Sequence, residues 1–368
     1  MVLLTLFAVA GASASPAADS TDSADRGAHI LAAPYVVGNS DDGLTLGFGF
    51  GANRPPSLYA VSSIEYSLTG QLSAYVEGEV WLGEYRYAGK VSYSRGDFGI
   101  YPTLPVDPEA VAEADIERVD IKLAALRPLS PRFELGPAVW IESARGMRPE
   151  DPDKVPLELA TLAPFRPGSL ALGGVRARWR TTSSVRPMDG YILDLITQAG
   201  AAWADEWDDA KPDATVQFKA AMAKPLHPRL RYYLRAETRL QLNTPPIVRN
   251  YNGGEKKVRG QPKRREYGRR AIYTRAQTHW TMLDDWRWPS EVAHSLFSFI
   301  PVYDLDVELV PFYDMGVMAD PDFGWLPARH GVGMGLHFVI PPELVLRVDV
   351  GVSPGGSPRF YFTIGESI

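Results

Sequence analysis

"RLRYYLRAETRLQL", residues 229–242, is the stretch whose reading decides the fold. Its even positions are Leu230, Tyr232, Leu234, Ala236, Thr238, Leu240 and Leu242, and its odd positions are Arg229, Arg231, Tyr233, Arg235, Glu237, Arg239 and Gln241. Successive side chains of a strand leave on opposite faces, so this alternation predicts a strand with one oily and one charged face. The run exceeds the roughly five or six residues of a soluble strand and reaches the about 9–11 of a tilted membrane strand.

The pattern recurs along the chain. "LSAYVEGEVWL" sets Leu72, Ala74, Val76, Val80 and Leu82 against Ser73, Tyr75, Glu77 and Glu79. "VGMGLHFVI" sets Val332, Met334, Leu336, Phe338 and Ile340 against Gly333, Gly335 and His337, and "LVLRVDVGV" sets Leu344, Leu346, Val348 and Val350 against Arg347, Asp349 and Gly351. Alternation does not say which face is inside: a soluble, lipocalin-like barrel packs its apolar face inward, whereas a membrane barrel turns it to lipid and lines a wet lumen with charge. Segment length, the charges on each polar face and the Trp and Tyr at segment ends favour the membrane barrel. At roughly 20 residues per strand with its connections, Tyr35 to the C-terminus holds about 16 antiparallel strands and no second domain.

Composition agrees with an all-β chain. The 368 residues include 17 Tyr, 14 Phe, 9 Trp, 33 Gly and 31 Pro, a mix of strand formers and turn formers. With no cysteine, disulfides, thiolate metal sites and cysteine nucleophiles are excluded together. "MVLLTLFAVAGASAS" carries an apolar run followed by Ala12-Ser13-Ala14, the pattern of a cleaved export signal, although no Lys or Arg precedes the run. The expected organisation is a signal peptide over 1–14, a flexible acidic leader over 15–33 and the barrel over 34–368.

A second stretch needs explaining. "GGEKKVRGQPKRREYGRRAIYTRAQ", residues 253–277, holds nine Lys/Arg between Lys256 and Arg275 in a chain of formal net charge -6. An acidic, exported barrel makes a nucleic-acid partner a poor reading, so the strip's partners are its own acidic lumen or lipopolysaccharide phosphates. Parity points to the lumen. In "LDVELVPFYDMG" the apolar face is Leu305, Val307 and Leu309, which turns Asp306, Glu308, Phe312, Asp314 and Gly316 inward. Lys263 to Arg270 reads as ordinary basic loop, and the strand that follows is legible from Ile272 onward.

Val258-Arg259-Gly260, followed some fifty residues later by Phe312-x-Asp314-x-Gly316, resembles the paired motifs of the BamA/TamA family of outer-membrane barrels, the bacterial surface antigen family. In that family a loop folds back into the lumen and sets its motif arginine against the wall motif, which here implies Arg259 on Asp314. Pro187, Gly190 and Tyr191 are similar to a strand-turn-strand element of the family. Arg347, Asp349 and the run Phe360 to Gly365 resemble its closing strands, with Phe360, Phe362, Ile364 and Ile368 on one face. The chain departs from the pattern at Gln261, where the family has an aromatic, at Thr182-Ser183-Ser184, where it has Arg-Asp-Asn, and at Ile368, where an aromatic is usual. The expectation is therefore a member of this family lacking POTRA domains.

The resemblance implies a role in inserting or translocating polypeptides or moving lipid, with a weak first-to-last strand seam as the working part and no cofactor. Implied partners are the lipid bilayer, lipopolysaccharide, client outer-membrane proteins or a separate periplasmic protein. The rival reading is a passive pore or structural barrel whose loop is a plug. Nothing in the sequence signals an enzyme: the six histidines show no H-x-x-x-H spacing, and no G-x-S-x-G elbow or P-loop is present. His279 and His337 fall on polar strand faces and read as lumenal hydrogen-bonding groups, so no catalytic, cofactor-binding or metal-binding residues are expected.

Overall fold

The computed structural model describes residues 29–39, 43–54, 58–100, 112–146, 167–181, 189–205, 207–245, 248–254, 257–262, 266–296, 304–321, 324–340 and 344–364. The expected signal peptide, Thr182-Ser183-Ser184, Pro187, Lys263 to Arg265 and Ile368 lie outside these residues. The first described strand begins at His29, five residues before the expected start of the barrel.

The strands follow one another as an antiparallel meander. In order they are β1 (His29–Asn39), β2 (Gly43–Arg54), β3 (Leu58–Ser67), β4 (Leu72–Leu82), β5 (Tyr85–Ile100), β6 (Ala112–Ser130), β7 (Phe133–Gly146), β8 (Gly168–Arg180), β9 (Gly190–Ala204), β10 (Lys211–His227) and β11 (Leu230–Gln241). A long connection carrying the short strands β12 (Asn250–Asn252) and β13 (Glu266–Gly268) then leads to β14 (Arg270–Leu283). Helix α1 (Trp288–Leu296) precedes β15 (Asp306–Asp320), and β16 (Gly324–Trp325), β17 (Arg329–Ile340), β18 (Leu344–Val352) and β19 (Arg359–Ile364) complete the chain. Seventeen of these strands share one sheet; β16 is a two-residue pairing at the top of the β15–β17 hairpin, so sixteen long strands build the wall. Among the described residues β12 and β13 pair with each other, apart from the wall.

Burial is inverted relative to a soluble protein, and this settles which face is inside. On β2, Leu44, Leu46, Phe48 and Phe50 are exposed while Thr45 and Gly49 are buried. On β15 each even residue from Glu308 to Asp320 is buried, Asp314 among them, while Tyr313 is exposed. Ionised groups tolerate burial only when paired, whereas the exposed Leu, Phe, Ile and Val on most wall strands need an apolar solvent. Lipid outside and a charged lumen satisfy both demands.

The lumen is not uniformly polar, as the alternation alone had suggested. Ile116, Trp140, Leu170, Leu172 and Ala202 from β6 to β9 form a buried apolar cluster inside the barrel. The two ends also differ. At one, two-residue turns join β4 to β5, β6 to β7 and β10 to β11, although the connection 284–305 at this rim is long and carries α1; at the other, the connections 101–111, 147–167 and 242–269 are all long. Short turns at one rim and long loops at the other are the usual arrangement of membrane barrels. β1 and β19, the first and last strands, approach within 8 Å between Cα atoms.

Candidate functional site: a loop locked inside the barrel

The connection 242–269 turns into the lumen and is held at both of its flanks and at its tip. Near its start, Val248 packs into the apolar cluster of Ile116, Trp140, Leu170 and Leu172. Asn250 donates its backbone N–H to the Gln241 side chain at 3.0 Å, and the Tyr273 hydroxyl donates to the Tyr251 carbonyl at 2.6 Å. On the return, Arg269 binds Asp320 through its backbone N–H at 3.1 Å and through Nη2 at 3.1 Å, while Glu266 takes Arg329 at 2.5 Å. The stretch expected to be basic loop up to Arg270 is therefore structured where it is described: β13 occupies Glu266–Gly268 and β14 starts at Arg270, two residues before alternation becomes legible.

The tip is Val258 to Gln261. Here Arg259 has no exposed surface, and neither does Asp314 opposite it. The guanidinium donates through Nε to Asp314 Oδ2 at 2.7 Å and through Nη2 to Oδ1 at 3.0 Å, and the Arg259 backbone N–H adds a third bond to Oδ2 at 3.1 Å. Its Nη1 reaches a second carboxylate, Asp349 Oδ2 on β18, at 2.9 Å. Below lies the Phe312 ring, with its centroid 3.3 Å from the guanidinium carbon. A planar fork of donors suits two carboxylates and an aromatic face together, which a lysine could not reproduce. Arg275 on β14 donates to the remaining side of Asp314 at 2.9 Å, and His337 lies 3.1 Å from Asp349.

Room for this backbone comes from glycines. β17 presents Gly331, Gly333 and Gly335 to the lumen in succession, paired across the sheet with Asp314, Phe312 and Val310. A Cβ at Gly331 would stand 1.8 Å from the Arg259 carbonyl oxygen, and one at Gly351 of β18 would stand 2.7 Å from the Gly260 nitrogen. Gly260 adopts φ +90, and a side chain there would meet the Val352 backbone at 2.6 Å. β19 supplies the last contact: Gly260 donates its N–H to the Tyr361 hydroxyl at 2.9 Å, which donates in turn to the Gln261 carbonyl at 3.2 Å. Gln261 is buried, and its amide reaches the His330 carbonyl at 3.4 Å.

No protein-family model matches the sequence, and no curated protein matches it either. Solved structures do match. BamA from Haemophilus ducreyi lacking POTRA domains 1-3 aligns with TM-score 0.55 at 9% identity, over 98% of this chain and 75% of that one. CdiB from Escherichia coli aligns with TM-score 0.57 at 11% identity, over 99% and 68%. CdiB from Acinetobacter baumannii aligns with TM-score 0.55 at 16% identity over 92% of this chain, which spans only 59% of that protein.

The fold is that of a BamA-like outer-membrane barrel. Within this BamA-like wall, Phe312, Asp314 and Gly316 face the lumen together with Arg347 and Asp349. Phe360 is exposed on the lipid side, as its parity requires. Tyr191 is likewise exposed. Around Arg259 and Gly260, sequence reading missed Asp349 as a second acceptor for Arg259, Arg275 as a second donor to Asp314, and Tyr361. Tyr361 alternates with Phe360 and Phe362, so parity marked it as lumenal; what it touches depends on strand register and on the loop path, which no single segment encodes.

Proposed function

We propose that the protein resides in the outer membrane, reached through the export signal over 1–14, and that its barrel assists client outer-membrane proteins into the bilayer or carries polypeptide or lipid across it. Residues 34–368 would supply the barrel and 15–33 a leader. The observation that carries this reading is where the tip of the loop is fastened. Arg259 and Gly260 bind Asp314 on β15, Asp349 on β18 and Tyr361 on β19, the last strand, which lies beside β1. Seating of the loop and the state of the first-to-last edge are thereby tied through one hydrogen-bonded group. The mechanism is mechanical: loop release loosens the terminal strand, and no cofactor enters.

The loop also supports a second reading. It bridges the lumen from Val248 on the β6–β8 wall to Arg259 on the β15–β18 wall, which suits a plug in a passive or structural barrel. Reconstitution in liposomes separates the two. Faster folding of a small client barrel without steady ion conductance is the expected result. Steady conductance, or a sealed barrel with no effect on the client, would favour the plug.

A further inference from the structure

His279, Glu308 and His337 are distant in sequence and sit on β14, β15 and β17, where the register brings them together. Glu308 and His337 are direct cross-strand partners, and His279 stands opposite Arg231 of β11 one row further along. One ligand atom from each of the three lies within 4.8 Å of the other two, and all three side chains are buried. His279 Nδ1 is 2.9 Å from Glu308 Oε2, and the two histidine rings meet edge to face with centroids 5.5 Å apart.

The decisive atom is His337 Nδ1. It is buried and has no hydrogen-bond partner, while Nε2 of the same ring faces Asp349 Oδ1 at 3.1 Å. Because Asp349 is held as a carboxylate by Arg259, Nε2 must be the nitrogen that carries the proton, so Nδ1 presents a bare lone pair with no donor to meet it. Other buried side-chain atoms also lack a hydrogen-bond partner, Oε2 of Glu142 and Nε of Arg347 among them, but His337 Nδ1 is the one that belongs to a cluster of three metal-ligating side chains among the described residues. A carboxylate that fixes the far nitrogen of an imidazole, leaving the near one as a ligand, is the common outer-shell arrangement of metal-bound histidine.

We infer that His279, Glu308 and His337 form a binding site for a late first-row divalent cation of the zinc type. Two imidazoles and one carboxylate suit Zn²⁺, Co²⁺ or Ni²⁺; Mg²⁺ and Ca²⁺ prefer all-oxygen shells. Glu308 has an oxygen for each task, since Oε1 takes Arg231 at 2.6 Å and Oε2 faces His279. On binding, the ion takes the place of the proton between His279 Nδ1 and Glu308 Oε2; a neutral ring shifts that proton to Nε2, and an imidazolium, which already carries one there, releases it to water. Two guanidinium groups, of Arg231 and of Arg347, the cross-strand partner of His337, flank the site and set its affinity against the charges of Glu308 and Asp349. Asp349 serves the site and the loop at once, so the ion and the seated tip share a carboxylate.

The test is a titration of the chelator-stripped full-length barrel in detergent with Co²⁺, read by its visible absorption. One Co²⁺ per barrel is expected, displaced by Zn²⁺ and unaffected by excess Mg²⁺. His279→Gln and His337→Gln should each weaken binding by more than the about 10–100-fold that loss of an outer-shell partner costs. Arg231→Gln, which removes a neighbouring positive charge and spares all three ligands, should tighten it. Should a histidine variant fail to give the heat-modifiable folded form, Glu308→Gln and Arg231→Gln still decide, with weakening in the first and tightening in the second. The inference is overturned if the wild-type barrel takes up no stoichiometric Co²⁺, if Mg²⁺ competes at equal concentration, or if binding is unchanged in the ligand variants that fold.

Discussion

Two of the places where the loop is fastened are built from opposite chemistry. At Val248 the contact is apolar and sits in a cluster with Ile116, Trp140, Leu170 and Leu172; at Arg259 it is ionic, with two carboxylates, a second arginine and an aromatic face around one guanidinium. Apolar burial is non-directional and gains roughly in proportion to area, so it anchors the loop without fixing its orientation. The ionic contact behaves differently, because each of its bonds depends on direction and each charge is costly to leave behind without its partner. One end thus holds the loop inside, and the other decides how its tip sits. Such a division suits a segment that stays in the lumen in every state and changes only at its tip.

The comparison can be broken most severely at the ionic end. Arg259→Ala leaves Asp314 and Asp349 buried with one fewer counter-charge, and the expected loss is about 3–5 kcal/mol, read as a lower temperature for the heat-induced gel shift. Asp314→Ala should cost a similar amount. The double variant should cost much less than the two losses added, and strictly additive effects would show that the two side chains do not act as a pair. Gly331→Ala attacks the same end through space alone. Its Cβ would stand 1.8 Å from the Arg259 carbonyl oxygen, a backbone atom with nowhere to go, so unseating of the tip is expected at about 1–3 kcal/mol.

At the apolar end the effects should be smaller and of another kind. Val248→Ala removes two methyl groups from a packed cluster, and about 1–2 kcal/mol is expected. Because no charge is stranded, a cysteine placed at the tip should stay protected from a water-soluble thiol reagent in this variant and become reactive in Arg259→Ala. Equal reactivity in both would erase the proposed division. The smallest change is expected at Gln261→Ala. Its amide reaches the His330 carbonyl only at 3.4 Å, so a loss of about 0.5–1.5 kcal/mol or less should follow, measured by the same gel shift.

Much of this could be read from period two. In "RLRYYLRAETRLQL" and "LVPFYDMG", parity put Arg231, Glu237, Phe312 and Asp314 on the lumenal side, and each is buried there. Parity turned Asp314 inward, and the resemblance to the BamA/TamA motifs, not the spacing itself, implied Arg259 as its partner. What stayed hidden depends on register and on loops. That Asp349 and Tyr361 also meet the tip, or that Glu308 faces His337, requires knowing how β15, β17, β18 and β19 slide against one another. Val248 lies in a connection without periodicity, so nothing marked it as buried. The apolar cluster was hidden for a related reason: on β8 both faces carry apolar residues, and Leu170 and Leu172 do not announce which side they line.

The reach of the Arg259 and Gly260 contacts along the chain bears on assembly order. Arg259 finds Asp314 55 residues downstream and Asp349 90 residues downstream, and Gly260 finds Tyr361 101 residues downstream. None of these receptors exists as a surface until β15 to β19 are in register. Since distant contacts form only after the intervening loops have closed, the tip must wait, unseated, while the rest of the wall is laid down. Its locking is a late event that reads out completion of the last strand, so a chain cut short before β19 would carry a loop with no Tyr361 to receive it.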